Sequence, residues 1–193
     1  MRKILITGFE AFGHSTLNPS AEIVKAISGE NIVTAILPVV FGESAQILRG
    51  LIDQHKPEVV LCLGQAEGRN ALMPERVAIN LDDARMADNS GALVTERPIV
   101  VGGPDAYFST LPIKAIVDAM KVAGVPAAIS LSAGTFVCNH VFYSLQDYVK
   151  GSSIKSGFIH VPLMDQQSIE FADLPTMPLA QMVAGVEVAL QVI

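Results

Sequence analysis

Residues 126–149 read PAAISLSAGTFVCNHVFYSLQDYV, inside a stretch, 122–146, that carries no formal charge. By length such a stretch is able to cross a bilayer, but Gly124, Pro126, Ser130, Ser132, Gly134, Asn139 and His140 interrupt it. The pattern predicts instead a buried strand over 126–132, a turn of small residues, and a buried helix over 135–149 with apolar or aromatic residues at 137, 141, 145 and 148. Strand, tight turn and helix in that order form one unit of a parallel sheet covered by helices.

The same alternation runs outward in both directions. Strands are expected over 3–9, 32–40, 58–64, 98–101 and 157–161, and helices over 44–55, 112–124 and 178–193. Asn18-Pro19-Ser20 opens a further helix, with Asn18 as its cap and Pro19 preset at the first turn, and Gly29 ends it. The fold class is therefore α/β: a three-layer α/β/α sandwich around a twisted, mostly parallel sheet. Nothing repeats and no linker interrupts the 193 residues, so a single domain over 1–193 is expected. Residues 65–98 break the rhythm. They are polar and turn-rich, with one alternating run at 76–80, and so long an excursion inside a compact domain points to function.

Half the residues are apolar and 17% are charged, which requires burial within the chain or against other subunits and suits a homo-oligomer. The net charge is -6 and no Lys/Arg cluster forms a phosphate-tracking stripe, which argues against nucleic acid as a partner. The first residues enter an apolar run at once, without the pattern of a signal peptide. Neither a membrane nor an export route is expected, and the two cysteines read as free thiols in a reducing cytosol.

Cys62 lies in Val59-Val60-Leu61-Cys62-Leu63, where free cysteine behaves as a small hydrophobe. Cys138 sits where small residues lead into a helix. A helix amino terminus presents unpaired N–H groups and a partial positive charge, which lower a cysteine pKa from about 8.5 into a range of roughly 3.5 to 7.5. The same N–H groups suit an oxyanion. Two readings stand at this point, a thiolate nucleophile and a buried, inert helical thiol. Of the four histidines, His140 is two residues from Cys138 and so on nearly the opposite helix face, while His14 and His55 occupy solvated positions. His160 stands at the carboxyl end of a strand, where sites gather in open α/β sheets. A carboxylate that fixes the imidazole tautomer must come from Glu67, Glu75, Asp82, Asp83, Asp88 or Glu96, among which Glu75 precedes the one strand-like run of the excursion. Arg85 reads by default as a surface ion-pair partner.

Several long motifs, in order, resemble the pyrrolidone-carboxylate peptidases, also called pyroglutamyl peptidase type I. They are TGFEAFG at 7–13, LGQ at 63–65, PERVAIN at 74–80, DAR at 83–85, Asp88-Asn89, SAGTFVCN at 132–139 and FIHVP at 158–162, so the resemblance covers nearly the whole chain. It implies a cysteine peptidase that removes N-terminal pyroglutamate from peptides through a thioester, with no metal or cofactor. Cys138 would be the nucleophile, His160 the base and acid, and Glu75 the residue that orients His160. Arg85 would polarise the scissile carbonyl or hold the pocket wall. Phe9, Phe12, Gln65, Met86, Phe136 and Val137 match the family's substrate pocket, and Asn18 stands open to two roles, reaching that pocket or capping its helix. The family's usual assembly is a tetramer. Departures are Met86-Ala87 in place of Ile-Pro, Asp165-Gln166-Gln167 in place of Pro-Glu-Gln, and a short carboxyl terminus.

Two rivals complete the set. A nucleoside phosphorylase-like enzyme needs phosphate donors, and neither G-x-x-x-x-G-K-[ST] nor G-x-G-x-x-G follows any predicted strand. A ligand-binding protein on the same scaffold would keep Cys138 inert, a difference that thiol alkylation reads directly.

Overall fold

The computed structural model describes residues 2–193. In chain order the elements are β1 (Ile4–Phe9), α1 (Pro19–Ala26), β2 (Ile32–Leu37), α2 (Glu43–His55), β3 (Val59–Gln65), β4 (Met73–Pro74), β5 (Val77–Ile79) and β6 (Ala106–Phe108). They continue with α3 (Ile113–Val122), α4 (Val137–Val149), β7 (Lys155–Val161), β8 (Leu163–Met164), a 3-10 turn (Asp165–Gln167), β9 (Thr176–Met177) and α5 (Leu179–Val192). The main sheet has the order β2-β1-β3-β7-β4, parallel except for the short antiparallel β4.

Strand periodicity separates two cores. Val59, Leu61 and Leu63 of β3, with Ile159 and Val161 of β7, pack with residues of α1, α3 and α5 such as Ile23, Ile116 and Met182. Val60, Cys62 and Phe158 point the other way, to Leu48 and Ile52 of α2 and Val141, Phe142 and Leu145 of α4. Helices therefore cover both faces of the sheet, as the α/β reading requires. Burial of each such side chain stabilises the fold by roughly 1.5–3 kcal/mol before conformational entropy is set against it.

Three expectations need correction. Residues 98–101 form bends and turns, and the bridge in this region joins Arg97 to Asp82. Residues 126–132 make two parallel bridges beside β4, Leu72 to Ala127 and Glu75 to Ser130, instead of a full strand. Pro126 has no N–H to give a ladder, and Ser130 Oγ turns the chain by accepting from the Ser132 N–H at 3.3 Å. The helix expected from 135 begins at Val137, with Phe136 as its cap residue in extended conformation. The alternating run at 76–80 does form a strand, β5, and its antiparallel partner β6 has no sign in the sequence, because Ala106–Phe108 is largely exposed and lacks an apolar face to betray it.

Candidate active site

The carboxyl ends of the parallel strands gather the site. At the end of β1, Gly8 lies so close to α1 that an added Cβ would meet the Ser20 carbonyl oxygen at 2.5 Å. Ser20 Oγ accepts from the Phe9 N–H at 2.9 Å, and Asn18 Oδ1 caps α1 by accepting from the Ser20 N–H at 3.0 Å. This close approach brings Phe9 and Asn18 into one cavity wall.

On the neighbouring strands, Gly64 of β3 pairs in register with His160 of β7. Gly64 is the floor beneath Cys138: an added Cβ would meet Cys138 Sγ at 2.8 Å and the Phe158 ring at 2.7 Å. The residue that follows β4 supplies the carboxylate. Met73 pairs with His160, and two residues later the Glu75 N–H donates to the Phe158 carbonyl at 2.9 Å. Glu75 is fully buried, and its Oε1 lies 2.7 Å from His160 Nδ1. A carboxylate at Nδ1 makes that nitrogen the N–H donor and leaves Nε2 as the free, basic end. The imidazole also rests on Phe158, ring centroids 4.9 Å apart.

Cys138 is the second residue of α4, and no side chain caps that helix. Burial, then the Glu75 carboxylate, then Cys62 push the Cys138 thiol up to about 12. The helix terminus favours the anion, but the thiol is packed over Gly64 and Phe158, where desolvation outweighs it. Cys62, wholly buried, is likewise pushed up to about 12 by burial and remains a core thiol.

Cys138 and His160 open on a cavity of about 500 Å³. Phe9, Phe12, Asn18, Gln65, Arg85, Met86, Phe136 and Val137 all line it, so the pocket residues named from sequence converge on one place. Phe12 and Phe136 face each other with centroids 6.1 Å apart. Arg85 is exposed and joins no ion pair among the described residues, unlike the surface partner it resembles by default. Met86, 41% exposed, lies toward solvent. Among the described residues no group of three or more His, Cys, Asp and Glu side chains is placed to hold a metal ion.

The excursion that carries Arg85 and Met86 is tied to α4 and the residues just before it by contacts that have no sign in the sequence. Asn139 accepts from the Ile79 N–H at 3.0 Å and donates to the Ile79 and Leu81 carbonyls at 2.9 and 3.0 Å. His140 Nδ1 lies 3.0 Å from both oxygens of the fully buried Asp82, and its Nε2 accepts from the Gly42 N–H at 3.1 Å. Thr135 Oγ1 donates to the Asp83 carbonyl at 2.7 Å. Gln167 donates to Gln65 Oε1 at 3.0 Å.

An α/β protein in which a thiol at a helix start, an imidazole and a buried carboxylate serve one cavity is built as a cysteine hydrolase. The family model for pyroglutamyl peptidase matches residues 2–193, and the chain belongs to that family. The chain is 48% identical to a pyrrolidone-carboxylate peptidase of Aliivibrio fischeri, over 100% of this chain and 93% of that protein. It is 49% identical to one from Enterobacter sp., over 100% and 92%. Its structure resembles the crystal structure of pyroglutamyl peptidase I from Bacillus amyloliquefaciens with a TM-score of 0.95 and 44% identity, covering 97% and 92% of the two chains. A mutant pyrrolidone carboxyl peptidase of Pyrococcus furiosus matches with a TM-score of 0.91 at 40% identity, covering 98% and 96%. The protein is thus a cysteine peptidase of the type that removes N-terminal pyroglutamate.

Proposed function

We propose that Cys138 is the nucleophile of this peptidase, His160 its general base and acid, and Glu75 the group that orients His160. The observation that carries this reading is the 2.7 Å bond from buried Glu75 to His160, with His160 in register beside the glycine that floors Cys138. His160 Nε2 takes the Cys138 proton as substrate arrives. The sulfur attacks the pyroglutamyl carbonyl carbon, and the C–N bond to the next residue breaks as His160 returns the proton to the leaving amine. Water, deprotonated by His160, then opens the thioester to release pyroglutamate and restore the thiol. Main-chain N–H groups at the start of α4 stabilise the oxyanion, each worth on the order of 10²–10³ in rate.

The substrates are peptides with an N-terminal pyroglutamyl residue, whose flat, neutral ring suits the aromatic pair Phe12 and Phe136 and the amides of Asn18 and Gln65. Arg85 acts at the cavity mouth on the scissile carbonyl or the wall. The two free thiols support a cytoplasmic setting, and exposed apolar side chains such as Val101, Val122 and Ile169 support a homo-oligomer, a tetramer on family grounds. Light scattering tests the assembly. Release of aryl amine from a fluorogenic pyroglutamyl aryl amide, abolished by iodoacetamide and by Cys138→Ala, tests the mechanism. Turnover retained in Cys138→Ala would sink it.

A further inference from the structure

Gln167 closes the 3-10 turn after β8 and is wholly buried. Main-chain groups with no choice of role tell its two amide ends apart. Oε1 accepts from the Met164 N–H at 3.1 Å, while Nε2 donates to the Leu17 carbonyl at 3.3 Å and to Ser15 Oγ at 3.1 Å. Nε2 thus shares its two hydrogens among three acceptors, of which the nearest is Gln65 at 3.0 Å, and only the carbonyl oxygen of that side chain is able to face an NH₂ group there. Gln65 lines the cavity and is 6% exposed, so its Nε2, with no protein partner among the described residues, is left as a donor at the wall. Asn18 is fixed by similar logic: Oδ1 accepts from the Ser20 N–H and Nδ2 gives one hydrogen to the Glu10 carbonyl at 2.8 Å, leaving the other free.

We propose that Gln167 is a positioning residue for substrate selection: it holds Gln65 with its NH₂ toward the cavity, so that the wall reads the carbonyl oxygen of the pyroglutamyl ring. This rests on the reading of Gln65 as a pocket residue given above. Amide hydrogens at the wall donate to a lactam oxygen and are left unpaired by a prolyl ring, which has none. A site built to hydrogen-bond one substrate group rejects the analogue lacking it by about 10⁴–10⁵. The polarity of the wall is therefore set outside the cavity, by Met164 and Leu17 acting through Gln167.

The test is Gln167→Glu. A carboxylate keeps the Met164 contact but has no hydrogen for Gln65, so the Gln65 amide turns over to donate to it and presents Oε1 to the ring oxygen. KM for a pyroglutamyl aryl amide is expected to rise roughly tenfold to a hundredfold, with kcat changed less than about threefold, and inhibition by 2-pyrrolidone to weaken in step. Gln65→Glu is the companion, since it retains the Gln167 bond and places an oxygen directly at the wall. An unchanged KM in Gln65→Glu removes Gln65 from the pocket, whereas a raised KM there with an unchanged KM in Gln167→Glu overturns the inference alone. Should Gln167→Glu not fold, the wild-type protein decides: the Gln65 side-chain amide NMR signals, identified by their loss in Gln65→Glu, are expected to shift on titration with 2-pyrrolidone. Unmoved signals overturn the inference.

Discussion

Gly64→Ala is the most informative single change, because it adds one methyl group where the thiol and the sheet meet. The new Cβ would stand 2.8 Å from Cys138 Sγ and 2.7 Å from the Phe158 ring, whereas ordinary contact begins near 3.4 Å. The backbone at Gly64 is regular strand and does not require glycine, so strain in the chain itself plays no part. Relief must come from Sγ and Phe158 moving by roughly half an ångström to an ångström, and overpacking of this kind costs about 1–3 kcal/mol. At about 2–4 °C per kcal/mol for a chain of this size, Tm should fall by roughly 2–12 °C. The catalytic loss should exceed the loss of stability, since a displacement of about 1 Å at a reacting atom costs on the order of 10² in rate. Scanning calorimetry, kcat/KM on a pyroglutamyl aryl amide and the rate of Cys138 alkylation read the three effects. The double variant Gly64→Ala/Cys138→Ala should recover part of the stability, because the clash with sulfur is gone while that with Phe158 remains. Wild-type kcat/KM in Gly64→Ala would refute the placement of the thiol over this strand.

Other outcomes follow from the same geometry. Glu75→Gln should lower kcat by about 10²–10⁴ by loosening the imidazole, and should also move the pH midpoint of Cys138 alkylation downward, since the Glu75 carboxylate is one cause of the raised thiol pKa. Cys62 and Cys138 are both pushed up to about 12, so the neutral thiols stabilise the fold below their unfolded pKa of about 8.5, and this is lost as pH rises from there toward 12. Urea titrations between about pH 8 and 11 should show that decline, flatter in Cys62→Ala. Asp82→Asn should lower Tm by weakening the contact to His140 and should raise KM more than it lowers kcat, because the loop carrying Arg85 and Met86 is anchored there. Equal KM values by steady-state kinetics would show that the anchor does not reach the cavity.

Elements whose signal is local are legible in the sequence. Asn18 and Pro19 announce α1, and the charge-free run ending in α4 announces a buried helix with a thiol at its start. His160 stands out because strand ends are where open sheets keep their chemistry, but Glu75 is one of six candidate carboxylates, set apart only by its place before the strand-like run, until the family resemblance singles it out. The thiol pKa escapes a sequence reading because the helix terminus is visible there, while the carboxylate and the packed Phe158 beneath the sulfur are not. His140 is judged from sequence only as a partner of Cys138, and its contact with Asp82, across 58 residues, has no local signature. The bond between Gln65 and Gln167 spans 102 residues and depends on main-chain groups of two further segments, so no spacing rule reaches it.

Cys138, Asn139 and His140 follow one another on the first turn of α4, one presenting the thiol and the next two gripping the 79–82 segment. For anyone wishing to graft a new specificity loop onto this scaffold, that arrangement defines the cut. A donor loop that brings its own carbonyls for Asn139 and its own carboxylate for His140 arrives indexed to the sulfur. One spliced between residues 83 and 88 inherits the indexing from its host and is free to vary wherever it keeps Arg85. Redesign of the wall and preservation of the chemistry therefore separate at Asp82, the last residue of the segment that α4 holds.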